Sequence, residues 1–316
     1  MGCRMGEMGM DRTETTFVEA ILKDELERED RALRSVAPVI SHMLDTGGGS
    51  LVSDAAVARL RGMLSDIARQ LLEAVTSSAA SDEEIDRIVD ELSNDSALID
   101  HLYALAMEGH LADRLETQFG IDPVLSPLMQ ELIASNHPDT AELAMSAMAA
   151  QSRFNLCQRR MELPLGELPS ELFAAVIERF CNAAQDCEPA QLDRAMGQLK
   201  ANYDEAATRL GLLARVTSNM RGGAIAGLNL EHAGLALFAS SLAALTMQSR
   251  DHAICACHDR QSARLTISLR AAGLDAEEIE TQFGLLDQSQ SPPDGIASMP
   301  PEVAKELLKA SRGGLA

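Results

Sequence analysis

The stretch Ser53–Val75, SDAAVARLRGMLSDIARQLLEAV, decides the fold. Val57, Leu60, Leu64, Ile67, Leu71 and Val75 recur at steps of three and four, which sets them along one stripe of an α-helix, and Ser53 offers a hydroxyl ahead of the first turn as an N-cap. Such a stripe suits one helix of a bundle, with a coiled-coil seam as the alternative. The same period runs through nearly every longer stretch on either side, and nowhere do Val, Ile, Thr and aromatics alternate with period two as in a half-buried strand. The expected fold is all-α: a helical bundle or an irregular HEAT-like helical-repeat stack, built in two halves.

Upstream, a first helix is expected from about Thr16 to Leu44 with a bend at Pro38. Its charged run Lys23–Arg34 is read mostly as a solvated face, and Thr46–Ser50 as a flexible linker. Downstream, Ser81 with Glu84 forms a capping box, and Asp95 or Ser96 opens a helix through Phe119 that Gly120 stops. Asp122 is expected to cap the next helix, with Pro123 at its first position. From Pro138 to Met161, Leu143, Ala147, Ala150, Phe154, Cys157 and Met161 repeat at helical spacing. Leu163, Pro164, Gly166 and Pro169 interrupt the pattern and are taken as the principal boundary.

Beyond it, one long helical region is expected over Pro189–Met220, ended by Gly222 and Gly223. A helix over Glu231–Gln248 is apolar around most of its circumference and reads as central to the second half. A further helix runs from the Ser249 cap to Ala272, Gly273 stops it, Asp275 with Glu278 caps a short one, and Pro301 starts a tail helix. The resulting division is an N-terminal segment over 1–15 without fixed structure, helical halves over 16–162 and 163–288, and a linker with tail over 289–316. Glu-Thr-Gln-Phe-Gly occurs at Glu116–Gly120 and again at Glu280–Gly284, an echo that a degenerate helical repeat would leave.

Composition limits the function. The chain has 316 residues with 27 basic against 48 acidic, a formal net charge of -21 that repels nucleic acid and anionic bilayers, and suits a basic protein partner as well as plain solubility. Aromatics are 3% and Trp is absent, so the interior falls to Ala, Leu, Met, Val and Ile. The most apolar stretch, Gly234–Leu245, is too short to span a bilayer and no leader-like run opens the chain, which points to the cytoplasm. Met1-Gly2-Cys3 invites a reading as an acylated terminus, but Gly6 stands where that motif needs Ser or Thr. Six scattered cysteines fit free thiols in a reducing compartment.

No nucleophile elbow, cysteine-nucleophile segment or phosphate loop is present. The densest set of metal-ligand types is His252, Cys255 and His258, three apart and so on one helical face, with Cys257 pointing elsewhere; small core thiols and polar histidines are the plainer reading. His258-Asp259 also matches the doublet of His-Asp phosphohydrolases, with His232 upstream and Asp275 or Asp287 as the further carboxylate. Arg250, Arg260, Arg264 and Arg270 form a local basic stretch that would dock an acidic peptide or phosphate, or else pair with neighbouring acidic helices. Asp204 and Glu205 ahead of Arg209 read as ordinary helix-face pairing.

Four segments resemble a bacterial family of all-helical conserved domains: Gln118–Ala134 (QFGIDPVLSPLMQELIA), Gln158–Glu171 (QRRMELPLGELPSE), Tyr203–Ala214 (YDEAATRLGLLA) and Gln261–Leu274 (QSARLTISLRAAGL). The resemblance spans about Asp95–Leu286 and implies a helical architecture without a catalytic signature. The expectation is a non-enzymatic scaffold or adaptor that needs no cofactor, binds a protein partner on an extended helical face and is compatible with homo-oligomers. The charged first helix would cover or complete that face. Two rivals are a metal or phosphohydrolase-like centre at His252, Cys255 and His258, and a small-ligand regulator with a pocket beneath Glu231–Gln248.

Overall fold

The computed structural model describes residues 7–40, 54–76, 79–184, 187–258, 260–286, 292, 296 and 299–312. Among these the chain is helices and 3-10 turns joined by short loops, with no strand, so the all-α expectation holds. The expected Ser53 cap, the Thr46–Ser50 linker, Asp259 and Asp287 lie outside the described residues. The helices are α1 (Glu7–Arg34), α2 (Asp54–Val75), α3 (Asp82–Ser93), α4 (Ser96–Phe119), α5 (Pro127–Ile133), α6 (Pro138–Arg159), α7 (Ser170–Ala183), α8 (Pro189–Asn202), α9 (Arg209–Met220), α10 (Leu230–Thr246), α11 (Arg250–Ala256), α12 (Ser262–Ala272), α13 (Ala276–Leu285) and α14 (Pro301–Arg312). No single helix among them is long and apolar enough to cross a membrane; 3-10 segment 222–228 with α10 passes by length and composition as a pair bent by 115°.

The chain forms two compact units, each assembled from separate stretches. One takes residues up to Arg34, Leu111–Glu131 and everything from Thr217 on; the other takes Ser35–His110 and Leu132–Val216. The break expected at Leu163–Pro169 is not a boundary between them. Leu163, Leu165 and Leu168 are core residues of the second unit. Side chains of α2 hold this stretch in place: Asp66 accepts the Leu163 N–H at 3.0 Å, Gln70 accepts the Leu165 N–H at 2.9 Å and donates to the Leu163 carbonyl. Backbone groups that an irregular segment would leave unpaired are thus satisfied by α2.

In that second unit the stripe of α2 is buried as its spacing demands, with Leu60, Leu64, Ile67 and Leu71 at 0% exposure against α3 and α8. Ser81 and Glu84 form the expected capping box, and Asp95 accepts the N–H groups of Ala97 and Leu98 at the start of α4. The long helix expected over Pro189–Met220 is two. Tyr203 leaves the helix to stack on Phe173 at 4.2 Å and to donate its hydroxyl to the Leu168 carbonyl. Asp204 accepts the Ala206 N–H and Thr208 the Gly211 N–H, two caps that end one helical register and begin another.

In the first unit α1 ends at Arg34, one turn ahead of Pro38, whose ring would meet the Arg34 carbonyl in a continued helix. Its inward stripe of Leu22 and Leu26 packs on α12 and α14. Asp122 accepts from Val124 and Leu125 in a turn, while α5 starts at Pro127 with Ser126 as its cap, so the helix expected at Pro123 begins four residues later. Gly222 and Gly223 sit inside the 3-10 segment Arg221–Leu228 that follows α9 instead of closing it. That segment packs on α10, where Gly227 leaves room for Ser241 and a β-carbon would collide with it.

The expected central helix, α10, is buried around its circumference and divides at Gly234, whose φ of 69° and ψ of 162° are open to glycine alone. The two Glu-Thr-Gln-Phe-Gly copies take opposite roles. Gly120 is a left-handed stop after an exposed Gln118 and Phe119, whereas Gln282 and Phe283 are buried and Gly284 lies within α13. Gln282 accepts the Leu230 N–H at the start of α10 at 2.9 Å. The echo therefore marks no repeated unit.

Candidate interaction surface

The predicted metal set does not assemble. The helix expected over Ser249–Ala272 ends at Ala256, because the His258 ring accepts the Arg260 N–H at 3.1 Å and turns the chain before α12. His258 thereby lies beyond the helix that was to align it with His252 and Cys255. The His252 ring is 2.6 Å from the Ser249 hydroxyl, Cys255 is buried, and Cys257 donates to the Ala253 carbonyl. His232 lies 3.4 Å from Glu131, and Asp275 caps α13 by accepting the Glu278 N–H. Among the described residues no group of three or more His, Cys, Asp or Glu is placed to hold a metal ion. The described cysteines are free thiols, and burial pushes those of Cys157 and Cys181 above their usual range.

The basic stretch is spent inside the first unit. Arg264 is buried and ion-paired with Asp30 of α1, and also donates to Gln248. Arg270 donates to the carbonyls of Met299 and Leu274, and Arg250 to the Ser240 hydroxyl. Arg260 is exposed. The four were expected on one helix; the turn at His258 separates them, and neighbouring acceptors take three of the guanidinium groups.

Two buried charge centres went unread in the sequence. On α1, Glu29 and Asp30 fall on the stripe of Leu22 and Leu26, so the charged run Lys23–Arg34 is not all solvated face. Glu29 accepts the N–H groups of Ala263 at 2.9 Å and Arg264 at 2.7 Å, capping α12 from a distant helix where Gln261 supplies no side-chain cap. Burial raises the Glu29 pKa, opposed by these two N–H groups and by the Arg264 charge. In the second unit Arg209, 1% exposed, donates to both oxygens of Glu108 at 2.8 and 3.1 Å and to Gln151 at 3.1 Å. Its guanidinium lies 3.6 Å from the centre of the Phe154 ring, and Glu167 accepts its backbone N–H at 2.8 Å. Asp30, Arg264, Arg209 and Glu108 are buried and Glu29 half-buried, and both centres hold helices together.

Of the exposed large apolar side chains, two, Met145 and Leu156, share one side of α6. Its inner side is Leu143, Ala144, Ala147, Ala150 and Phe154, all buried. A second stripe at steps of four, three and four comprises Met145, Ala149, Ser152 and Leu156. Met145 is 48% and Leu156 55% exposed, with the small half-buried Ala149 and Ser152 between them. Exposed charges flank the stripe, Asp139 and Glu142 toward the N-terminus, Arg153 and Arg160 toward the C-terminus. The stripe is legible in the sequence, since α6 carries apolar residues at helical spacing on two faces. Comparison of the chain with protein-family models, curated proteins and solved structures finds no match.

Proposed function

We propose that the chain is a non-enzymatic, cytoplasmic helical scaffold that docks a helix of a protein partner on the outer face of α6. The observation that carries this reading is the pair of large apolar side chains, Met145 and Leu156, held half in water on a helix already anchored by its opposite face. Small residues between two large ones make a groove into which another helix seats its ridges. The buried Arg209–Glu108 pair supports it indirectly, since Gln151 and Phe154 of α6 meet the same guanidinium and so fix the helix that presents the face.

The test is retention of a partner from native lysate by the intact chain and by a Met145→Lys, Leu156→Lys variant. Both positions are exposed, so the variant keeps its fold and melting temperature. A retained protein that disappears with the variant is the expected result. The same set retained by both chains refutes the reading.

A further inference from the structure

We propose that the helix occupying the α6 face is α6 of a second copy of this chain, packed antiparallel about a two-fold axis; this rests on the reading of that face as a docking surface. The argument is complementarity of the face with itself. A two-fold axis lying across the helix brings the N-terminal half of one α6 against the C-terminal half of the other, and keeps each flank opposite the same flank of its mate.

One register then pairs the four residues of the stripe and brings one flanking pair of opposite charges together. Met145 lies opposite Leu156 and Ala149 opposite Ser152, and Glu142 comes within one residue of facing Arg160, each pair occurring twice by symmetry. Glu142 and Arg160 lie on the same flank of the stripe, about 50° from its centre at 100° per residue, as this axis requires. The small pairs at the middle let the axes approach to about 8 Å, and the large pairs close the ends.

Charge points the same way. On a chain with 27 basic and 48 acidic residues, α6 carries two of each sign, Asp139 and Glu142 against Arg153 and Arg159, with Arg160 as its C-cap. The acidic end of one copy meets the basic end of the other. The net charge of -21 acts against association at long range but is screened beyond about 8 Å at physiological salt, leaving the local balance of α6 to act at contact. A 22-residue helix is about 33 Å long, so a single helix pair makes a small interface and a reversible dimer.

Sedimentation velocity on the purified full chain, from about 1 to about 200 µM, resolves monomer and dimer by mass action. A concentration-dependent dimer is expected, weakened at least about tenfold by Met145→Lys with Leu156→Lys. Glu142→Arg and Arg160→Glu each weaken it roughly threefold, and the two together in one chain restore it, because the swapped charges again oppose each other. Amide exchange of α2 and α7, unchanged in all variants, verifies the fold. A chain monomeric over this range overturns the second-copy assignment and leaves the lysate experiment to judge the face itself. Dimers indifferent to the lysine variant, or a double swap that fails to recover, overturn the assignment as well.

Discussion

Arg209 donates to both oxygens of Glu108 inside a closed interior, so removing either charge strands the other without water. Arg209→Met is expected to cost about 3–5 kcal/mol, and adding Glu108→Leu to recover most of it, because the unpaired charge rather than the lost bond dominates. Urea unfolding of the single and double variants closes that cycle. Glu29 offers a test by pH. Its folded pKa stands above the ordinary 4.5, so between 4.5 and the folded value the native chain holds a proton that the unfolded chain has released. This group's contribution to stability therefore declines as pH rises through that window and returns on acidification. Asp66, raised by burial from 3.8, acts in the same direction. Glu29→Gln should make the stability–pH slope above 4.5 less negative, read from unfolding midpoints at several pH values. Neither centre was legible in the sequence, for one reason. Asp204 and Glu205 stand at a spacing from Arg209 that would pair them on a continuous helix, whereas Glu108 is 101 residues away, and linear spacing reports local partners alone.

At the scale of elements, the caps and stops that a side chain makes with its own backbone were readable: Ser81 with Glu84, Asp95, Gly120, Ser249, Gly273, and Asp275 with Glu278 all act as their types dictate. The misread boundaries are those where a polar residue inside an apparently continuous pattern caps a new helix, as Thr208 does, or turns the chain, as His258 does. Apolar periodicity is blind to such interruptions because both helices keep their stripes. Gly234 is the sharpest case. It breaks α10 in a conformation closed to other residues, and a β-carbon there would stand 3.0 Å from that of Ser126. Gly234→Ala should cost about 1–3 kcal/mol, visible as a lower melting temperature. The outer stripe of α6 was open to reading, yet periodicity names the faces of a helix without saying which one the fold consumes.

For the whole molecule, the sequence gives the helical class and the presence of two parts, but suggests consecutive halves where the units interleave. Each unit draws on both halves. A fragment over 16–162 lacks Phe173, Val176, Phe180 and Met196 of its core, and one over 163–288 lacks α1 and Leu111–Glu131. Neither fragment should unfold cooperatively, while the full chain does; thermal melts followed by circular dichroism decide this. The bond between Glu29 and the start of α12 has a further consequence, for biosynthesis. Glu29 leaves the ribosome more than 230 residues before its backbone partners at Ala263 and Arg264. At translation speeds of about 5–20 residues per second, roughly ten to fifty seconds pass with that carboxylate still hydrated. Burying the inner stripe of α1 before that late-emerging mate is made would leave its acids without their donors, a cost that favours late docking of this helix.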